Sequence, residues 1–270
     1  MSRAVRTVFV TGGSSGIGLA VARDWARRFQ GRTGQIALFG RDTERLEKAV
    51  AEIAALEPTV AVRGWSVDVA DAAAVALAMK AAVQAMGVPE RVILSAGMTL
   101  PGLFEGLEID AQHRVMEVNY FGAVHVLHVL LPQLQPGARI GFVGSAAGIA
   151  GIHGYGGYAP SKLALRGLAE VLRVELSARG IGVTLCQPPD TDTPMLTAER
   201  GHRPAVTEVI AGTQAMTAAE VALVLIRAME ANRLHALPSW AVRLLHLFGP
   251  LSGAMLRRRQ IRLIRDLGPD

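Results

Sequence analysis

One cysteine, Cys186, is all that 270 residues contain. That excludes an intrachain disulfide and fits a reducing compartment. On its apolar run, Cys186 reads as a small buried hydrophobe. Aromatic residues make up only 5% of the chain and charged residues 19%. No Gly/Ser linker, charge block or internal repeat divides it. The seven histidines are scattered, and no His/Cys cluster has metal-ligand spacing, so no metal is expected. His125 and His128 read as packing or surface residues of a long helix. The start, M-S-R-A-V-R-T-V-F-V, lacks the apolar core and cleavage site of a signal peptide. The expectation is a cytoplasmic chain. The net charge is +5, yet the basic residues show no aromatic interleaving and no recognition motif. No nucleic-acid partner is expected.

Half of the residues are hydrophobic, and the length suffices for one α/β core. Near-continuous apolar runs such as V-F-V and V-I-L suit parallel strands covered on both faces. Strands are predicted near 5–11, 35–40, 60–67, 91–95, 138–145, 182–187 and 234–237. Helices are predicted near 15–29, 42–57, 71–86, 110–133, 158–179 and 217–231. This alternation predicts an α/β fold: a Rossmann-type doubly wound parallel sheet of about seven strands, with helices on both faces and a crevice at the topological switch point. Residues 1–236 read as a single catalytic domain, and 237–270 as an amphipathic, basic C-terminal extension.

Two stretches carry chemistry. Residues 8–20, V-F-V-T-G-G-S-S-G-I-G-L-A, read as strand, tight turn and helix. Gly12 and Gly16 let the backbone turn and approach a pyrophosphate, Gly18 lets the helix pack close to the sheet, and the helix N-terminus faces the anion. The spacing T-G-x-x-x-G-x-G differs from the G-x-G-x-x-G fingerprint. In the second stretch, Tyr158 and Lys162 lie four apart on one helix face. An ammonium beside a phenol favours the phenolate and lowers the tyrosine pKa, fitting it for proton transfer. Ser145 ends the run R-I-G-F-V-G-S, at the carboxyl edge of a predicted strand.

The order and positions of these stretches resemble the short-chain dehydrogenase/reductase family over roughly residues 5–235. The resemblance implies that Ser145, Tyr158, Lys162 and Asn119 form the catalytic set, with Asn119 anchoring a proton-relaying water. It implies cofactor contacts from Gly12, Ser14, Ser15, Gly16, Ile17 and Gly18 in the turn, and from Asp68 and Val69 after the third strand. Gly97 follows in Ser95-Ala96-Gly97, where the family usually shows Asn-Ala-Gly. Pro188, Thr191 and Thr193 lie in the loop that lines the nicotinamide, and Tyr158 and Lys162 also touch the cofactor. An NAD site usually places an acid after the second strand. Here Gly40 stands there, followed by Arg41, which can pair with a 2′-phosphate, and Arg45 adds a second charge. The expected cofactor is NADP(H), although Asp42 argues the other way unless it serves as a helix N-cap.

Two local stretches, residues 158–176 and P-P-D-T-D-T-P at 188–194, look like 3-ketodihydrosphingosine reductases. That implies reduction of a hydrophobic small molecule, a long-chain amino ketone, to a secondary alcohol. A reductase of another lipid, steroid or hydrophobic carbonyl is a second reading, and a non-catalytic dinucleotide-binding scaffold a third. A homo-oligomer is expected. In the extension, Trp240, Leu244, Leu247, Phe248 and Leu251 precede Arg257, Arg258, Arg259, Arg262 and Arg265. Arg243, His246, Gly249 and Pro250 interrupt the apolar run, so no bilayer span of about 20 residues is expected. Residues 237–265 read either as a peripheral arm on an anionic membrane or as a helix pair packed on the substrate mouth or a subunit interface.

Overall fold

Along the first strand, Val8 and Val10 enter one apolar core and Phe9 enters another. That alternation is what a strand covered on both faces requires. A computed structural model describes residues 6–212 and 214–268, so the first residue of the strand expected over 5–11 lies outside the described residues. The elements run β1 (Thr7–Thr11), α1 (Gly16–Arg28), β2 (Gly34–Gly40), α2 (Thr43–Leu56), β3 (Val60–Ser66), α3 (Ala72–Met86), β4 (Arg91–Leu94), α4 (Ile109–Met116), α5 (Gly122–Leu130) and β5 (Arg139–Val143). They continue α6 (Tyr158–Glu175), β6 (Gly182–Cys186), β7 (Thr191–Asp192), α7 (Pro194–Glu199), α8 (Ala205–Ala211), β8 (Met216–Thr217), α9 (Ala218–Glu230), β9 (His235–Ala236), α10 (Trp240–Leu247) and α11 (Gly249–Leu267).

Seven strands form one parallel sheet in the order β3-β2-β1-β4-β5-β6-β9. This is the doubly wound fold expected from the sequence. Helices α3, α5 and α6 bury Met79, Leu130 and Leu165 on one face, against Phe9, Phe39 and Phe142. Helices α1, α2 and α9 bury Trp25, Ile53 and Leu225 on the other, against Val10, Ile36 and Leu38. Arg91, at the start of β4, donates to Glu230 at the end of α9 at 2.6 Å, fastening helix to sheet. The order reverses between β1 and β4, so the loops after these strands part there and leave a crevice at their carboxyl ends.

Helix ends follow local chemistry. The Asp42 carboxylate accepts from the Arg45 N–H at 3.0 Å and caps α2. Thr217 and Glu220 form a capping box at α9. The helix expected over 110–133 is interrupted: a π turn over Glu117–Phe121 separates α4 from α5. The helix expected to reach 179 ends at Glu175, and Gly180 closes a short 3₁₀ turn in the left-handed region. A small parallel pair, β7 with β8, joins the loop after β6 to the start of α9. In the extension, α10 and α11 pack on one another and α11 packs on α8. Gln260 accepts from the His153 N–H at 2.6 Å and donates to the Gly151 carbonyl at 3.2 Å. The packing reading of the tail is therefore present in the structure. No helix among the described residues is long and apolar enough to cross a membrane.

Candidate active site

The Gly-rich turn follows β1. Gly12 has φ +63°, and a Cβ there would stand 2.7 Å from the Ser95 carbonyl oxygen. A Cβ on Gly18 would run into the Gly12 carbonyl. Both positions therefore need glycine, one for the turn and one for close approach of α1. Gly16 faces Thr193, whose methyl group would lie 3.1 Å from an added Cβ. The turn after β1 and the loop after β6 thus meet across the crevice.

A cavity of about 450 Å³ opens at this meeting point. Gly12, Ser15, Gly16 and Ile17 border it from the turn, Gly97 from the loop after β4, and Pro188, Thr191 and Thr193 from the loop after β6. Ser145, Tyr158 and Lys162 complete that wall. Thr193 is held by its own helix: its hydroxyl oxygen accepts from the Leu196 N–H at 3.3 Å and its hydroxyl donates to the Thr191 carbonyl at 3.1 Å.

Ser145 caps a 3₁₀ turn, and its hydroxyl accepts from the Ala147 N–H at 3.1 Å. Tyr158 is the first residue of α6, and Lys162 follows one turn later. The ammonium lies 5.7 Å from the Tyr158 ring centroid and donates to the Val143 carbonyl at 3.1 Å. Burial holds the Tyr158 phenol above its ordinary pKa. The Ser145 hydroxyl, hydrogen-bonded to it, pulls the other way, and Glu199 and Asp190 add to the rise. Burial pushes Lys162 down to about 8. The expected lowering of the tyrosine pKa by Lys162 is therefore not what the protein alone produces. Desolvation dominates at the phenol, and the Lys162 ammonium is turned toward a backbone carbonyl.

Asn119 sits in the π turn, buried, and does not border the cavity. Its Nδ2 donates to the Met98 carbonyl and to Ser161 Oγ, both at 2.9 Å, and its Oδ1 accepts from the Met98 N–H at 2.8 Å. A Cβ on Gly97 would meet both Asn119 Oδ1 and Lys162 Nζ, at 3.2 and 3.4 Å. Asn119 thus braces the segment against which the lysine lies.

The remaining expected contacts, Ser14, Gly18, Arg41, Arg45, Asp68 and Val69, do not border the cavity and lie in the Gly-rich turn and α1 and after β2 and β3. Ser14 occupies the space beside Gly40, where a side chain would meet its Oγ at 2.9 Å. A side chain at position 40 would require the Ser14 hydroxyl to turn away. Arg41 is exposed, and its carbonyl accepts from Ser66 Oγ at 3.3 Å. Arg45 pairs with Asp42 at 3.2 Å, which splits the duty of that carboxylate between cap and counter-ion. Asp68 accepts from the Ala70 N–H at 3.0 Å and pairs with Arg114. These contacts, with a contribution from Arg41, hold its carboxyl below the usual range against the effect of burial. Val69 packs close to Gly122, and its carbonyl lies 2.9 Å from His125 Nδ1. Arg114 gives no signal in the sequence, since a lone arginine in a helix carries no positional information.

Sequence reasoning also missed the other wall. Tyr155, Glu199 and Arg203 border the cavity beside Asp190, with apolar Ile152, Leu196 and Leu245. Only the i, i+4 spacing of Glu199 and Arg203 hinted at a pair, and that spacing is common on solvated helices.

Residues 6–204 match the sequence model of the family described as short chain dehydrogenase. The chain belongs to the short-chain dehydrogenase family. Within it, the chain is similar to the 3-dehydrosphinganine reductase of Danio rerio, with 38% identity over 218 residues, 79% of this chain and 64% of the relative. It is also similar to the 3-ketodihydrosphingosine reductase of Bos taurus, with 38% identity over 211 residues, 76% of this chain and 62% of the relative. The chain thus covers less than two thirds of the length of these relatives. Among solved structures, a short chain dehydrogenase from Burkholderia cenocepacia in complex with NADP is similar at 30% identity and TM-score 0.75, over 86% of this chain and 94% of that one. The family match spans β1 through α7, including the Gly-rich turn, Ser145, Tyr158 and Lys162. The extension lies outside it.

Proposed function

We propose that the chain is an NADPH-dependent ketone reductase that converts 3-dehydrosphinganine to sphinganine. The observation that carries the reading is one cavity bordered by the Gly-rich turn, by Ser145, Tyr158 and Lys162, and by an apolar wall. The names of the relatives point to the same substrate. The turn fits a dinucleotide: Gly12 and Gly16 keep the backbone bare where a pyrophosphate needs close approach, at the N-terminus of α1. Arg41, exposed after β2, supplies a charge that would pair with a 2′-phosphate, and Gly40 leaves the end of that strand without the acid that an NAD site would use. The NADP in the Burkholderia cenocepacia structure supports the same choice.

When bound, NADPH supplies the hydride. Tyr158, kept protonated by burial, gives its proton to the oxygen of the reduced carbonyl. Ser145 donates a hydrogen bond to that oxygen and holds it beside the phenol. Lys162 supplies a positive charge under the phenolate that Tyr158 becomes, and is poised near neutrality to return a proton. Asn119 keeps Gly97 and Met98 against Lys162. Thr193 and Pro188, on the cavity wall, would line the nicotinamide.

The same reading places the protein on the cytoplasmic face of a membrane as a homo-oligomer. Exposed Leu163, Val171 and Val174 on α6 support a subunit interface. Exposed Trp240, Leu247, Phe248 and Leu251, with Arg257, Arg258, Arg259, Arg262 and Arg265 also exposed, support an interfacial arm.

The test is a mixture of purified protein, NADPH and 3-dehydrosphinganine, followed by NADPH absorbance and by product analysis. Consumption of one NADPH per sphinganine formed is expected. NADPH consumed only with other hydrophobic ketones would leave the chemistry and replace the substrate. No consumption with any ketone would overturn the reading.

A further inference from the structure

One charged cluster borders the cavity beside Tyr158 and has no part in the hydride and proton transfers. Arg203 Nη1 donates to Asp190 Oδ2 at 2.5 Å and Nη2 donates to Oδ1 at 3.0 Å. The same guanidinium donates through Nε to Glu199 Oε1 at 3.0 Å. Tyr155 donates its hydroxyl proton to Glu199. The Arg203 side chain is 2% exposed and that of Glu199 6%, whereas Asp190 keeps 23%. Two carboxylates share one guanidinium, so the cluster carries one surplus negative charge. Burying such a charge is costly unless a cation compensates it. Lys162, the other cation on the wall, is turned to the Val143 carbonyl. Apolar Ile152, Leu196, Ile210, Leu245 and Leu256 also line the cavity, with Thr207 and Ser239.

Position matters as much as charge. The rings of Tyr155 and Tyr158 lie 5.4 Å apart between centroids, and Tyr155 ends on Glu199. The surplus charge therefore lies one aromatic residue away from the proton donor. An α-amino ketone carries its ammonium on the carbon next to the carbonyl. With its oxygen between Ser145 and Tyr158, the ammonium nitrogen lies two bonds from the reacting carbon, on the cavity wall that the two tyrosines share with the cluster. The alkyl chain then runs along the apolar wall under α10 and α11.

We propose that Asp190, Glu199 and Arg203 form the site that receives the substrate ammonium, and that this site selects α-amino ketones over plain ketones. The proposal rests on the ketone-reductase reading. Asp190, the more open carboxylate, makes the direct contact, and Glu199 and Arg203 fix its position. The ammonium also offsets the two carboxylates at the Tyr158 phenol, so its presence eases proton donation as well as binding. A neutral amide in place of the amine forfeits both effects.

The experiment compares kcat/KM of the full-length protein with NADPH for three substrates. These are 3-dehydrosphinganine, its analogue with hydrogen in place of the amine, and its N-acetyl derivative. The unaltered protein should favour the free amine at least tenfold over either analogue. Asp190→Asn should lower that selectivity ratio by about 10- to 150-fold, the loss expected when a charged hydrogen-bond partner is removed, and Glu199→Gln should lower it in the same direction. A cluster with a purely structural role would lower all three rates together and leave the ratio unchanged, which overturns the proposal. Equal rates on the amine and its amine-free analogue with the unaltered protein overturn it as well, while leaving the ketone-reductase reading in place. If no ketone is reduced, that underlying reading fails and the proposal falls with it. Should either variant fail to fold, the three-substrate comparison on the unaltered protein decides alone.

Discussion

Tyr158 and Lys162 show how far a single residue can be read from its neighbours. Their spacing put both on one helix face, and the structure places both on the cavity. The electrostatics could not be read the same way, because burial sets the phenol high and the lysine low. A tyrosine held protonated is a donor, so Tyr158→Phe should lower kcat by about 10²–10⁴-fold. NADPH affinity, followed by fluorescence titration, should stay within a few-fold of the parent. Retained turnover would remove Tyr158 from the chemistry. Arg41 is argued at the same scale. Arg41→Ala should weaken NADPH by about 10- to 150-fold, as for loss of a charge-assisted contact, and should scarcely change NADH. Equal losses for the two cofactors, in the same titration, would show that Arg41 does not read the 2′-phosphate.

At the scale of elements, apolar periodicity and capping residues located every strand of the large sheet and the helices that cover its faces, but not the short α7 and α8 between β6 and β9. Periodicity could not show the π turn, because inserting one residue into a helix leaves the apolar pattern nearly intact while rotating the later turns. That turn carries Asn119 inward to Met98 and Ser161. Nor could it show that β9 and α10 meet through two histidines. The rings of His235 and His246 lie 4.2 Å apart, and both Nδ1 atoms are buried without a partner. Burial pushes both imidazoles below the ordinary value. His246 adds to the effect on His235, Arg166 on α6 adds to it for both, and Glu170 opposes it. A depressed histidine pKa means that the unfolded chain binds the proton first. The stability these rings contribute is therefore present above about pH 6.5 and falls as the pH drops below it. Urea denaturation at about pH 7 and about pH 5 should show a lower midpoint at the acid pH, and His246→Phe should reduce that difference. An unchanged difference would show that the pair does not titrate in this range.

For the whole molecule, the extension decides what the sheet alone leaves open. Its inner face, through Ala241, Val242, Leu245 and Leu256, lines the cavity, while Trp240, Leu247 and Phe248 point outward. The two readings of residues 237–265 are thus compatible, since packing uses one face and leaves the other free. The full-length protein should float with anionic vesicles and be released by salt. Each basic residue near an anionic surface adds about 1 kcal/mol, and salt screens it. Replacing Arg257, Arg258, Arg259, Arg262 and Arg265 with glutamine should abolish flotation. If the unaltered protein stays at the bottom of the gradient, the outer face is not a membrane contact.

The sequence by itself determined what depends on short range: the strand–turn–helix of the Gly-rich loop, the helix face shared by Tyr158 and Lys162, the cap at Asp42, and the apolar runs of a sheet covered on both sides. Each of these arises from steric and periodic rules that act within a few residues. Tertiary structure decided what depends on charges and surfaces brought together from far along the chain. Only in the folded protein do Thr193 and Gly16 meet and Glu199 and Asp190 share one arginine beside Tyr155. The same holds for α10, whose faces divide between a cavity and the outside. Burial and long-range electrostatics have no sequence period, so no reading of spacing could have supplied them.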